Sequence, residues 1–222
     1  MTDSVIAVLD IDGTLIDSDF QHALAGYRDP RPVGETRPGR RLIGVGGVQL
    51  LTAARGREPE RRAADRAWDE HGRGVHAPLE ERAMAPLPGA RAPLVAVEEP
   101  GHRPVPAGTG RHRHAERSPH ELDARARDVA DDWTTSAHAE TSRTAPDPLR
   151  VAPKRSGAPP DPSSATVGGS TENVDAARGA GMPAAAVRSV DCGDDEFDKA
   201  GALAVHHTPG DLAKARDDAP LA

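Results

Sequence analysis

The sequence has few of the residues that usually build a protein interior. Leu, Ile, Val and Phe together make up 36 of its 222 residues, or about 16%, whereas ordinary globular chains exceed roughly 20%. Aromatic residues account for only 2% of the chain, which also contains 21 Pro and 22 Gly. Long segments therefore have little apolar surface with which to offset their chain entropy. This composition predicts a thin core, built largely with Ala, and partial disorder.

Cysteine and lysine are also scarce. The single cysteine, Cys192, excludes an internal disulfide and suits a reducing compartment. Lys occurs three times, and the net charge of -7 argues against a nucleic-acid partner. The apolar run near the amino terminus, residues 5–9, is too short for a signal peptide or a membrane span. We therefore expect a cytoplasmic protein with no membrane partner, and the sequence leaves its oligomeric state open.

Strand and helix patterns alternate near both ends of the chain. Residues 5–9 form a β-branched apolar run that is typical of a parallel strand buried on both faces, and helical propensity follows after Gly13. Near the other end, Thr208 is a predicted N-cap, Pro209 suits the first helical position, and Asp211 completes a capping box. Further strands are predicted within SSATVGGS, AAAVRS and GALAVHH, and further helix within STENVDAARGAGMP. This alternation predicts an α/β fold, a Rossmann-like doubly wound parallel sheet.

The middle of the chain has a different pattern. Residues 20–83 lack strand signals and are rich in Arg, Ala and Glu, which indicates an inserted helical subdomain. We predict an α/β core of residues 1–16 and 86–222, with a mostly α-helical cap at residues 17–85.

Two carboxylates one residue apart follow the first predicted strand, in VLDIDGTLIDSD. At the carboxyl end of a parallel strand, Asp10 and Asp12 would face the crevice where α/β folds bind ligands. Such a pair attracts Mg²⁺, and one carboxylate can attack a bound phosphate while the other moves the proton. Gly13 permits a tight turn, and Thr14 offers an amide and a hydroxyl near a predicted helix start suited to anions. The alternative interpretation is that Asp12 and its neighbours simply cap the following helix.

The stretch DIDGTLIDSD resembles the first motif of the haloacid dehalogenase superfamily, most of whose members are Mg²⁺-dependent phosphohydrolases. Later segments follow the same order, including APLPGARAPLVAVEEPGHR, which is similar to the helix before the second motif. The chain most resembles the phosphoglycolate phosphatase and β-phosphoglucomutase type, whose cap is inserted after the first motif. The resemblance implies that Asp10 is the nucleophile and Asp12 the acid/base. It also implies a Mg²⁺ cofactor and a small phosphorylated metabolite as substrate.

Later motifs depart from the pattern of the superfamily. In the second motif, Gly108 occupies the position of a phosphate-binding Ser or Thr, with Thr109 beside it. In the third, Arg143 replaces a Lys and differs from it in reach and geometry. In the fourth, GGSTEN, acids are replaced by Gly169 and by Asn173, which is left as a candidate metal ligand. Weak Mg²⁺ binding is the expected result.

Prolines also interrupt the strand that the resemblance implies around the second motif. Pro104 and Pro106 would remove hydrogen bonds of a central strand. This conflict between local preference and fold predicts difficult folding there.

Two functions therefore remain open. The first is a phosphatase that acts through an aspartyl-phosphate intermediate, with impaired activity. The second is a non-catalytic relative that binds phosphate or a protein partner.

Overall fold

The computed structural model describes six segments of the chain and one isolated residue, and these define the core of the molecule. They are residues 6–18, 85–98, 103–108, 134–135, 149, 164–188 and 192–215. The strands within them are β1 (Ile6–Asp10), β2 (Ile16–Asp17), β3 (Ala85–Pro86), β4 (Arg103–Gly108), β5 (Thr134–Thr135), β6 (Ala165–Gly168), β7 (Ala184–Val187) and β8 (Ala204–His206). The helices are α1 (Arg91–Glu98), α2 (Thr171–Ala180), α3 (Asp194–Ala200) and α4 (Pro209–Lys214).

Six of these strands form one parallel sheet in the order β5-β4-β1-β6-β7-β8. From β1 the chain moves outward to β4 and β5, and then returns to β6, on the other side of β1. This reversal is the strand order of doubly wound folds, so the predicted fold class is confirmed. Such sheets bind ligands at the carboxyl ends of the strands where the order reverses, which here are the ends of β1 and β6.

The sheet is buried on both faces, as the apolar run in β1 predicted. Ala7 and Leu9 of β1 belong to one core cluster, with side chains of α1 and α4, whereas Ile6 and Val8 belong to a second cluster, with side chains of α2 and α3. Burial of each large aliphatic side chain contributes about 1.5–3 kcal/mol. β7 adds three buried alanines, which let neighbouring elements pack closely but supply less apolar area.

The prolines of β4 do not prevent it from forming a strand. Pro104 lies opposite Ala7 of β1, and Pro106 opposite Leu9. Amides of residues two apart in a strand face the same neighbour, so the two missing donors fall on one edge of β4, which still pairs with β1 from Arg103 to Ala107. The pairing of β4 with β5 covers only Ala107 and Gly108. The hydrogen bonds that the two prolines remove are therefore confined to one edge of β4.

Three helices agree with sequence predictions, and a fourth was missed. The Thr208 side chain accepts a hydrogen bond from the Asp211 amide at 3.1 Å, with Pro209 in the first turn of α4. α1 and α2 also lie in segments predicted to be helical. The missed helix, α3, has three acids in its first turn and Gly201 after its last residue. These signals are typical of helix ends, but the helix spans only seven residues. Among the described residues, no helix is long and apolar enough to cross a membrane.

The short antiparallel pair of β2 and β3 lies beside the end of β1. Ile16 lies opposite Pro86, and Asp17 opposite Ala85. The pair brings together the two ends of the predicted cap, whose residues 19–84 lie outside the described part of the chain. The bounds of that cap and its mostly helical structure stay predictions.

Candidate active site

Asp10 is the last residue of β1 and lies where the strand order reverses. It is level with Ala107 of β4 on one side. On the other side, Leu9 pairs with Val167, so that Gly168 of β6 comes next along the sheet. The neighbouring positions on both strands are therefore held by small residues, and Asp10 itself is 8% exposed.

A tight turn follows Asp10, where the sequence predicted the start of a helix. The Ile11 carbonyl accepts hydrogen bonds from the amides of Thr14, Leu15 and Ile16 at 3.3, 2.9 and 3.0 Å. Gly13 has a φ of 68°, a left-handed conformation that favours glycine. The chain then continues into β2, so the predicted helix start at Thr14 is wrong, and so is the interpretation of Asp12 as its cap.

The turn fixes both carboxylates through hydroxyl groups. The buried Thr14 hydroxyl donates to Asp10 Oδ2 at 3.1 Å. The hydroxyl of Ser18, which is also buried, donates to Asp12 Oδ1 at 3.0 Å. Asp12 itself is partly exposed. The two acids therefore have different environments, one buried and one open to solvent. The role of Ser18 was not predicted, since an isolated serine has no distinguishing pattern.

The environment of Asp10 disfavours its charge. Burial, and then the negative charge of Asp12, raise the pKa of Asp10 from 3.8 to about 7. Hydrogen bonds from the Thr14 hydroxyl, the Ile11 amide and the Asn173 side chain oppose this rise in pKa, in decreasing order. A positive charge at the site would favour the ionised form of Asp10 further.

The fourth predicted motif contributes Asn173 from the first turn of α2. The Ser170 hydroxyl caps this helix by accepting from the Asn173 amide at 3.3 Å. Asn173 Oδ1 in turn accepts from the backbone amide of Ser170 at 3.1 Å and from its hydroxyl at 2.7 Å. Asp175 lies on the exposed side of α2, paired with Arg178. Asp175 therefore cannot substitute for the missing acids.

The structure brings together five of the predicted site residues: Asp10, Asp12, Gly13, Thr14 and Asn173. Gly108 lies on the neighbouring strand end, opposite Thr135. Thr109 and Arg143 lie outside the described residues. Among those that are described, no group of three or more His, Cys, Asp or Glu side chains could hold a metal ion.

Gly168 makes room for Asn173, which leads to a stability prediction. A Cβ added at Gly168 would lie 2.3 Å from Asn173 Cβ and 2.5 Å from its Cγ. We expect Gly168→Ala to lower the free energy of unfolding by about 2 kcal/mol, because one of the two must move. Gly193→Ala is the matched control, since its Cβ would meet only a Glu196 oxygen at 3.8 Å. Urea unfolding of both variants measures the difference, and equal stabilities would contradict the prediction.

Comparison with solved structures finds the same fold in several proteins. A hydrolase from Pseudomonas syringae is 23% identical with a TM-score of 0.83, over 97% of this chain and 99% of that one. CbbY from Rhodobacter sphaeroides in complex with phosphate is 19% identical with a TM-score of 0.71, over 96% of each chain. A haloacid dehalogenase-like family hydrolase from Streptococcus pneumoniae is 14% identical with a TM-score of 0.69, over 94% and 96%.

These likenesses extend over nearly the whole chain and show that it has the haloacid dehalogenase-like hydrolase fold. Proteins of the β-phosphoglucomutase and phosphoglycolate phosphatase types are among the structural neighbours, so the resemblance inferred from DIDGTLIDSD is confirmed at the level of fold. No family model matches the sequence, and no curated protein matches it.

Proposed function

We propose that the protein is a phosphomonoester hydrolase that acts on a small phosphorylated metabolite through a phosphorylated Asp10. The observation that carries this proposal is the buried Asp10 carboxylate at the end of β1, fixed by Thr14 and followed by a second, partly exposed acid. The fold of the neighbouring hydrolases supports the same reaction class. Cytoplasmic location, and the absence of nucleic-acid and membrane partners, are parts of the same proposal.

The proposed reaction has two steps. An Asp10 carboxylate oxygen attacks phosphorus and forms an acyl phosphate, while Asp12 gives a proton to the departing alkoxide. Asp12 then accepts a proton from water as that water attacks the phosphorus, which releases phosphate and restores Asp10. The Thr14 hydroxyl holds Asp10 Oδ2 in place, so the carboxylate is oriented before substrate binds. The proposed phosphate-binding residues are Gly13, Thr14, Gly108, Thr109 and Arg143.

Asp10 and Asp12 fit a Mg²⁺ ion that retains much of its water. Two carboxylates at one strand end are suitable oxygen ligands, but the described residues offer no third acid. Asn173, the other predicted ligand, has its Oδ1 engaged by Ser170. When bound, the ion would supply positive charge beside the phosphoryl oxygens.

We expect weak Mg²⁺ binding that Gly169→Asp tightens about 10-fold or more, because the new carboxylate would lie at the end of β6 beside Asp10. Gly193→Asp adds the same charge at the exposed start of α3 and is the matched control. Isothermal titration calorimetry measures both affinities. Tight binding by the unaltered protein, or equal gains in the two variants, would show that the missing acid does not limit affinity.

A single-turnover experiment tests the proposed nucleophile. The protein is mixed with an aryl phosphate and Mg²⁺, quenched in acid, and digested for mass mapping of the phosphorylated residue. We expect the phosphoryl group on the peptide that contains Asp10, and no label in Asp10→Asn. A label on another residue, or turnover without Asp10, would rule out this mechanism.

A non-catalytic, phosphate-binding relative is the alternative, and the fourth motif favours it. Gly169 supplies no carboxylate, and the Asn173 amide adds no negative charge. This alternative predicts binding of inorganic phosphate by calorimetry without release of phosphate from any aryl phosphate.

A further inference from the structure

Ser170 determines which way the side-chain amide of Asn173 points. Its oxygen, Oδ1, lies 3.1 Å from the backbone nitrogen of Ser170 and 2.7 Å from the Ser170 hydroxyl. A backbone N–H can only donate, so the atom that faces it must be the acceptor oxygen. The amide nitrogen, Nδ2, is then the group that can donate to Asp10, because Asn173 packs against Gly168 and Gly168 lies next to Asp10 in the sheet.

The surrounding residues leave Asn173 little freedom to turn. The Ser170 hydroxyl is used twice, since it accepts from the Asn173 backbone amide at 3.3 Å while donating to Oδ1. Ser170 is itself 1% exposed, so water does not compete easily for these bonds. Gly168 lies so close that a Cβ there would be 2.8 Å from Oδ1. The side chain is therefore held from its oxygen end and packed against the backbone of β6.

We propose that Asn173 is a positioning residue, which holds the Asp10 carboxylate through Nδ2 while Ser170 fixes Oδ1. Together with the Thr14 hydroxyl on Oδ2, this gives the Asp10 carboxylate donors from two separate elements, the turn after β1 and the first turn of α2. An acid at position 173 would repel Asp10 and would need a cation between them. The amide instead orients Asp10 by a hydrogen bond that needs no cation. The inference deepens the proposed function and rests on it for its effect on turnover.

Nuclear magnetic resonance tests the contact without reference to activity. The side-chain NH₂ resonances of Asn173 are identified by their loss in Asn173→Asp. We expect the amide protons to move upfield in Asp10→Ala, because their hydrogen bond to the Asp10 carboxyl group is lost. They should stay in place in Asp175→Asn, a matched change on the exposed side of α2. Protons that do not move in Asp10→Ala would overturn the inference.

Steady-state kinetics tests the positioning role. With an aryl phosphate, we expect Asn173→Ala and Ser170→Ala each to lower kcat about 10-fold or more, with KM unchanged within about twofold. Asp175→Asn should keep both constants. A normal kcat in folded Asn173→Ala would overturn the inference. If the unaltered protein has no turnover but the resonances move as expected, the proposed function fails and the Asn173 contact stands.

Discussion

Replacement of Asp10 by Asn is expected to lower phosphate release roughly 10³-fold or more and, at the same time, to make the protein more stable. The amide has nearly the shape of the carboxylate, and its oxygen can still accept from the Thr14 hydroxyl, which holds the native side chain at 3.1 Å. It cannot act as the nucleophile, and loss of a nucleophile removes most of the rate enhancement of an enzyme. Initial rates with an aryl phosphate measure this effect.

The gain in stability follows from the raised pKa of Asp10. Between pH 3.8, the ordinary value, and about pH 7, the folded protein holds a proton on Asp10 that the unfolded chain has released. Stability of the unaltered protein therefore falls as the pH rises through this window. With about 1.4 kcal/mol for each unit of pKa, the cost above pH 7 is at most about 4 kcal/mol.

In Asp10→Asn this cost is absent. The new amide nitrogen needs a hydrogen-bond acceptor, which offsets part of the gain in stability. We expect a net gain of about 2 kcal/mol at pH 8, or roughly 4–8 °C in Tm for a chain of this length. At pH 4 the two proteins should unfold at similar temperatures. Thermal melts at both pH values measure the difference, and a gap that is the same at pH 4 and pH 8 would contradict a raised pKa of Asp10.

The second large effect is expected at Gly89, which precedes α1 and touches α4. Its φ is +76°, and an added Cβ would lie 2.6 Å from the Cα of Gly210 and 2.8 Å from its nitrogen. Both are backbone atoms, so no side chain can rotate away. We expect Gly89→Ala to lower the free energy of unfolding by about 3 kcal/mol or more, from backbone strain and overpacking together.

Gly181→Ala separates these two causes. Gly181 also has a φ of +76°, but an added Cβ would meet no atom within 4 Å. It should therefore lose only the strain contribution, about 1 kcal/mol. Chemical denaturation of the two variants gives the cost of the close approach by difference. If they lose equal stability, contact between the start of α1 and α4 is not what requires glycine at position 89.

The sequence predicted the parts of the fold that local chemistry controls. The β-branched run before Asp10 identified the central strand, and the cap at Thr208 identified α4. The turn at Gly13 was predicted, but the helix expected after it was not found, because the Ile11 carbonyl accepts three amides there and no propensity scale contains such an arrangement. α3 was missed because seven residues give a weak periodic signal.

The candidate site was also predictable only in part. The DIDGT spacing placed Asp10, Asp12 and Thr14 within one short segment, so their proximity followed from the sequence. Asn173 is 163 positions from Asp10 along the chain, and only the resemblance to a known motif connected them. That resemblance pointed to Asn173 but not to the direction of its amide, which depends on Ser170 and on the space beside Gly168.

The pairing of Asp17 with Ala85 has a consequence for the tolerance of the core to change. β2 and β3 run antiparallel side by side. The chain therefore leaves the core after β2 and returns to it at β3 at neighbouring points. The entropy of closing a flexible connection grows only with the logarithm of its length, about 0.6 kcal/mol for each doubling. We therefore expect a change in the length of the chain between residues 17 and 85 to cost the six-stranded sheet little stability.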